Sequence, residues 1–171
     1  MHPVSLGGPG KIVEIDGTVL TQRKNNAERL IPQQWCFRGI KRGTNKCFIV
    51  AVDHRDAATL APLVRQYVLP GTTIMLNKWA AYNDTKELPE GYEHLTVNHR
   101  LNFIDPVTGA CINTTESLWQ KFKEAHKERY GTVRTLLDSY LAGFMWKRLF
   151  KEDPLYHFWS QISELYPATI R

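Results

Sequence analysis

The stretch Ile12-Val13-Glu14-Ile15-Asp16-Gly17-Thr18 constrains this chain more than any other. It reads as a short, mostly apolar strand that carries two carboxylates. A charge inside such a run is expensive unless a partner or a metal compensates it. Asp16 is read as the anchor of a metal site, with the rest of the chain arranged to bring further ligands to it. Asp16-Gly17 between apolar flanks is equally a two-residue hairpin turn, and that reading stays open at this point.

The chain has 171 residues, enough for one domain with a real core. The expected division is a flexible lead-in over 1–11, a domain over 12–150, and a C-terminal helix over 151–171 packed on the same domain. Net charge is +5 and the pI is about 9.2. This favours a polyanionic partner, nucleic acid first, although many basic proteins bind nothing charged. No apolar run approaches the roughly 20 residues that span a bilayer, so no membrane partner is expected. Met1 to Gly10 has neither the basic nor the apolar region of a signal peptide. The three cysteines are odd in number and form no CxxC pair, which argues against a zinc site or a disulfide framework and for an intracellular chain. Cys36 and Cys47 fall in apolar strands and are expected to be buried thiols.

Strands are expected over 12–20, Trp35 to Arg42, and Cys47 to Val52, the last two joined as a hairpin by Gly43-Thr44-Asn45-Lys46. A helix start signal lies in Asp53 to Asp56, followed by Leu60, Leu63, Val64, Tyr67 and Val68 at helical spacing and stopped by Pro70-Gly71. Thr72 to Leu76 and Glu93 to Val97 read as the fourth and fifth strands, with a short helix between them over Trp79 to Leu88. Residues 21–33 and 100–112 read as irregular. Helices are expected from about Thr114 to Tyr130, from Thr132 to about Phe150, and from Asp153-Pro154 onward, the last with Leu155, Phe158, Trp159, Ile162 and Leu165 as its apolar stripe. The order implies an α/β fold: a mixed five-stranded sheet, three antiparallel strands and then parallel additions, flanked by helices.

Asp16 in the first strand, Asn77 after the fourth and Glu116 at the start of the long helix converge if the first and fourth strands are neighbours. Two carboxylates and a third oxygen ligand there would hold Mg²⁺ or Mn²⁺. Such a site can activate water or a 3′-hydroxyl for phosphoryl displacement on DNA. Each member also has a plainer reading. Asn77 can simply end its strand, and Glu116 fits a capping box with Asn113 as N-cap. Lys123 and Lys127 follow Glu116 on nearly the same helix face, where they suit a DNA backbone or a solvated surface equally. Arg23, Lys24, Arg29, Lys41 and Arg42 form a second candidate phosphate contact, or only keep the surface soluble. His99 can bond a phosphate or orient a ligand, or serve a structural role. Trp79, Tyr82 and Trp119 are most simply core or rim aromatics, although Trp79 can stack on a flipped base.

Several ordered segments carry a resemblance: Gly8-Pro9-Gly10-Lys11-Ile12-Val13-Glu14-Ile15-Asp16, Gln34-Trp35-Cys36-Phe37-Arg38-Gly39, Pro70-Gly71-Thr72-Thr73-Ile74, His94-Leu95-Thr96-Val97-Asn98-His99, Asn113-Thr114-Thr115-Glu116-Ser117-Leu118-Trp119, and Tyr140-Leu141-Ala142-Gly143-Phe144-Met145-Trp146. From about Gly7 to Phe150 the chain resembles the catalytic domain of Merlin-type transposases and their bacterial, ISXO-like insertion-sequence relatives. The resemblance implies an RNase H-like fold and DDE-type transposition, with two Mg²⁺ or Mn²⁺ ions, cleavage at transposon ends and strand transfer into target DNA. It further implies a homo-oligomer working on paired ends, in the nucleus of a eukaryote or otherwise in the cytoplasm or nucleoid. By position Asp16 matches the first acid and Glu116 the third.

The chain departs from that pattern at the second acid, where Asn77 stands. An amide oxygen can coordinate a metal but brings no charge, so the hard-cation site is weakened. Asp84, seven residues on, cannot replace it without rebuilding the loop. Gly17 and Arg100 also stand where the family often has an acidic and a small polar residue. Catalysis is therefore expected to be impaired. The competing readings are a non-catalytic DNA-binding or interaction module on the same fold, and an RNase H-like nuclease acting on RNA or branched DNA.

Overall fold

The computed structural model describes residues 5–21, 33–77, 88–97, 113–128 and 133–167. Its elements in chain order are β1 (Leu6–Gly7), β2 (Ile12–Thr21), β3 (Gln34–Lys41), β4 (Cys47–Val52), α1 (Ala57–Tyr67), β5 (Val68–Leu69), β6 (Thr73–Asn77), β7 (Glu93–Val97), α2 (Asn113–Glu128), α3 (Leu137–Leu149, after a 3₁₀ turn at Arg134–Leu136) and α4 (Pro154–Leu165). Five strands form one sheet in the order β4-β3-β2-β6-β7. β4, β3 and β2 are antiparallel, whereas β6 joins β2 and β7 joins β6 in parallel. This is the mixed sheet expected from the sequence. Asp16-Gly17 lies inside β2 and pairs with Arg38 and Phe37, so it is not a hairpin turn.

Strand alternation sends neighbouring side chains of β2 to opposite faces. Val13 and Ile15 enter a core with Phe37, Phe48, Leu60, Val64, Ile74 and Leu76, against which α1 packs. Gly39 serves this face: a Cβ there would lie 2.4 Å from the Phe48 ring, which stacks on Tyr67 at 4.7 Å between centroids. The other face holds a second core, Cys36, Ile40, Cys47 and Ile49 under Leu118, Trp119 and Phe122 of α2 and Leu137 and Leu141 of α3. Cys36 and Cys47 are buried free thiols, as expected. Glu14 and Asp16 point into this second layer.

Four expectations change. Of the expected lead-in over 1–11, the described residues 5–11 are ordered into the fold: Leu6 is fully buried and β1 pairs in parallel with β5. The Gly8 N–H donates to Thr72 Oγ1, and a Cβ on Gly7 would strike that same threonine, so this approach needs glycine. α1 ends at Tyr67, before the Pro70-Gly71 stop, because Val68 leaves the helix to pair with Leu6. The helix expected from Thr132 begins with a 3₁₀ turn, and Val133 and Leu136 stay exposed. α4 starts where Asp153-Pro154 places it, with the Asp153 carboxylate accepting from the Tyr156 N–H. It meets the end of α3 through Trp146, which donates to Gln161 and lies edge-on to Phe158. It does not bury its stripe on the domain: Leu155, Phe158, Trp159 and Leu165 are exposed. Trp79 to Leu88 lies mostly outside the described residues and 100–112 entirely so.

Candidate active site

Glu14 is fully buried. Its Oε2 accepts hydrogen bonds from the Thr114 and Thr115 N–H groups, both at 3.1 Å, and from Thr115 Oγ1 at 3.3 Å. Its Oε1 accepts from Arg42 Nε at 3.0 Å. The first N–H groups of any helix lack intrahelical partners and carry partial positive charge. A β2 carboxylate supplies that acceptor for α2, taking the Thr114 and Thr115 N–H groups. Asn113 itself is the first residue of α2. This clamp fixes the start of α2, and hence Glu116 in its first turn, over β2. Glu116 is exposed to solvent.

Asp16, two residues on, has a different partner. Arg38 stands opposite it in the β2–β3 register and donates from Nη2 to Asp16 Oδ2 at 2.5 Å. The Arg38 side chain is 3% exposed and that of Asp16 15%. Trp119 packs against the guanidinium, with Arg38 Cζ 5.3 Å from the ring centroid, and Lys123 Nζ lies at 5.3 Å from the same ring. Among the described residues Arg38 Nε, Arg38 Nη1 and Trp119 Nε1 are buried without an acceptor. Desolvation holds the Lys123 ammonium below the usual lysine range, helped by repulsion from Arg38 and Lys127. The Asp16 end of the strand is thus one carboxylate among several donors and cations.

Asn77 is the last residue of β6. The parallel register runs from Ile12 opposite Thr73 to Ile15 opposite Leu76, so the backbone brings positions 16 and 77 to adjoining places at the end of the pairing. Asn77 also stands opposite Val97 of β7. The register thus sets backbone positions 16 and 77 next to one another, and the Glu14 bonds hold the start of α2 over the same strand. Lys127 is exposed near Lys123, Lys41 ends β3 half-buried, and Arg42 is ion-paired with Glu14. Arg23, Lys24 and His99 lie outside the described residues.

The donors present do not fit a two-metal site. A buried guanidinium already holds Asp16, Glu14 is committed to helix N–H groups, and position 77 offers an amide. Among the described residues no three His, Cys, Asp or Glu side chains converge. Sequence reasoning missed the roles of Glu14 and Arg38. Both left a trace: Glu14 shares the face of Asp16, and Arg38 is the one charge in Cys36-Phe37-Arg38-Gly39-Ile40, a strand next to β2.

The model of the ISXO2-like transposase domain matches residues 5–148. The chain belongs to this family. The fold of the domain is the RNase H-like one that the resemblance implies. A chain of the simian T-cell lymphotropic virus intasome, in a complex with PP2A regulatory subunit B56 gamma, is similar at a TM-score of 0.52 and 12% identity, over 86% of this chain and 53% of that one. The present chain thus spans about half the length of that neighbour. The HTLV-2 integrase catalytic core domain, in complex with magnesium in a dimeric form, is similar at a TM-score of 0.49 and 10% identity, over 81% of this chain and 84% of that one. No curated protein matches. No helix among the described residues is long and apolar enough to cross a membrane.

Proposed function

We propose that this chain is a DDE-type transposase catalytic domain whose DNA cleavage and strand transfer are impaired, with DNA as its partner and a homo-oligomer as its working form. The observation that carries the reading is the placement of Asn77 beside Asp16 at the end of the β2–β6 register, where the family pattern calls for a second acid. Asp16, Asn77 and Glu116 are the residues assigned to the site. An amide at 77 removes one negative charge from a place meant for Mg²⁺ or Mn²⁺, which bind through anionic oxygens. His99 and Asn113 are assigned accessory positions. Lys123 and Lys127, with Arg23, Lys24, Lys41 and Arg42, are assigned to the DNA backbone, in keeping with the net charge of +5.

A second reading, a DNA-binding module without catalysis, is favoured by the buried Arg38–Asp16 pair and by Lys123 beside it. One experiment ranks the two. Purified chain is incubated with supercoiled plasmid in Mn²⁺, and duplex binding is measured separately in EDTA at two salt concentrations. The proposal expects weak nicking that is lost in Asp16→Ala, with binding that weakens as salt rises and weakens further in Lys123→Ala/Lys127→Ala; salt-dependent binding with no nicking at all favours the second reading. Robust nicking that is lost in Asp16→Ala would overturn the impairment. Failure to bind DNA at any modest salt would overturn both readings.

A further inference from the structure

We propose that Arg38 is a built-in counter-cation that closes Asp16 to a divalent metal ion, so that the candidate site is disabled at two positions, Arg38 and Asn77, and not at Asn77 alone. This rests on the reading of Asp16 as the first acid. Three observations carry it. Arg38 faces Asp16 in register and bonds its carboxylate directly. The guanidinium is buried, and among the described residues Nε and Nη1 lack acceptors and Asp16 is the one anion bonded to it. Trp119 packs against it from α2.

A metal ion entering at Asp16 would take the carboxylate that neutralises Arg38. A buried cation would be left without its counter-ion, and a dication would stand next to it. Lys123 over the same tryptophan adds a further positive charge. Restoring the carboxylate at 77 leaves all of this unchanged. The sequence change that would matter as much is removal of the charge at 38.

The test is Mn²⁺ binding to the full chain, read from loss of the free-ion electron paramagnetic resonance signal. It compares the wild type, Asn77→Asp, Arg38→Met/Asn77→Asp and Arg38→Gln/Asn77→Asp. Methionine keeps packing against Trp119, and glutamine keeps a donor toward Asp16. Thermal melting selects whichever double variant is folded, and Asn77→Asp leaves Arg38 untouched. The expected result is weak Mn²⁺ binding by the wild type and by Asn77→Asp, and at least tenfold tighter binding by a folded double variant, lost again on adding Asp16→Ala. Tight binding by Asn77→Asp alone would overturn the role of Arg38 while supporting the transposase reading of the site. Weak binding by every folded variant would overturn the assignment of these positions as metal ligands, and the inference with it.

Discussion

Two carboxylates on one face of β2, two residues apart, meet opposite environments. Glu14 accepts from two backbone N–H groups, a hydroxyl and a guanidinium, and joins the sheet to α2. Among the described residues Asp16 bonds to one side chain, a guanidinium that is itself short of acceptors. The first arrangement is structural: fixed dipoles answer a fixed charge. The second is a charge balance between two side chains that can be altered without dismantling a helix. A carboxylate in an apolar strand is therefore not by itself the mark of a metal ligand, and its donors decide what it does.

The largest expected effect comes from breaking the first environment. Glu14→Gln turns one acceptor oxygen into a donor among buried donors and removes the charge that pairs with Arg42 Nε. It should cost about 3 kcal/mol of stability in urea unfolding. Asp16→Asn should cost somewhat less, about 2 kcal/mol: it leaves the buried Arg38 guanidinium without its counter-ion, but the amide oxygen still accepts from Arg38 and no helix start is lost. Equal losses in the two variants would break the comparison.

The Asp16–Arg38 pair can be isolated with a double-mutant cycle of Asp16→Asn and Arg38→Met. The coupling should be about 1–3 kcal/mol, the double variant being more stable than the two single losses added together. Additive losses would mean that the pair contributes little.

A smaller effect is expected at Cys36, two residues from Arg38 on β3. Burial pushes its thiol up to about 12, against a partial lowering by Arg38, and burial pushes Cys47 up to about 11. In the Cys111→Ser background neither native thiol should react with a disulfide reagent at pH 8, whereas both should react after unfolding. The unfolded thiols ionise near pH 9 and the folded ones do not. Above that pH the unfolded state binds fewer protons, so stability should fall as pH rises from about 9 toward 12. Rapid native labelling at pH 8 would contradict the dryness of this face. The smallest effect concerns Lys123: Arg38→Met should move its ammonium titration back toward the usual lysine range, followed by nuclear magnetic resonance.

Much of this architecture was legible in the residues, for identifiable reasons. The hairpin over Trp35 to Val52 follows from apolar runs around a turn, and the parallel strand at Glu93 to Val97 from the helices expected between the later strands. Asp16 and Asn77 converge because strand order alone brings them to one edge. The Glu14 clamp was hidden because its partners lie about a hundred residues away, at the start of α2. The register that sets Arg38 against Asp16 depends on a connection the pattern does not specify. Val68 looked helical because it keeps the apolar spacing of α1, yet pairing with Leu6 captures it. The exposed stripe of α4 shows the converse: periodicity predicted an apolar face correctly without showing that the domain covers it.

The most direct test of the account is metal-dependent nicking of plasmid DNA by Arg38→Met/Asn77→Asp, run beside the wild type and each single change. The account predicts nicking in Mn²⁺ by the double variant, little or none by the other three, and loss of the gained activity on adding Glu116→Ala. Strong nicking by the wild type, or none by a folded double variant that binds both Mn²⁺ and DNA, would contradict it.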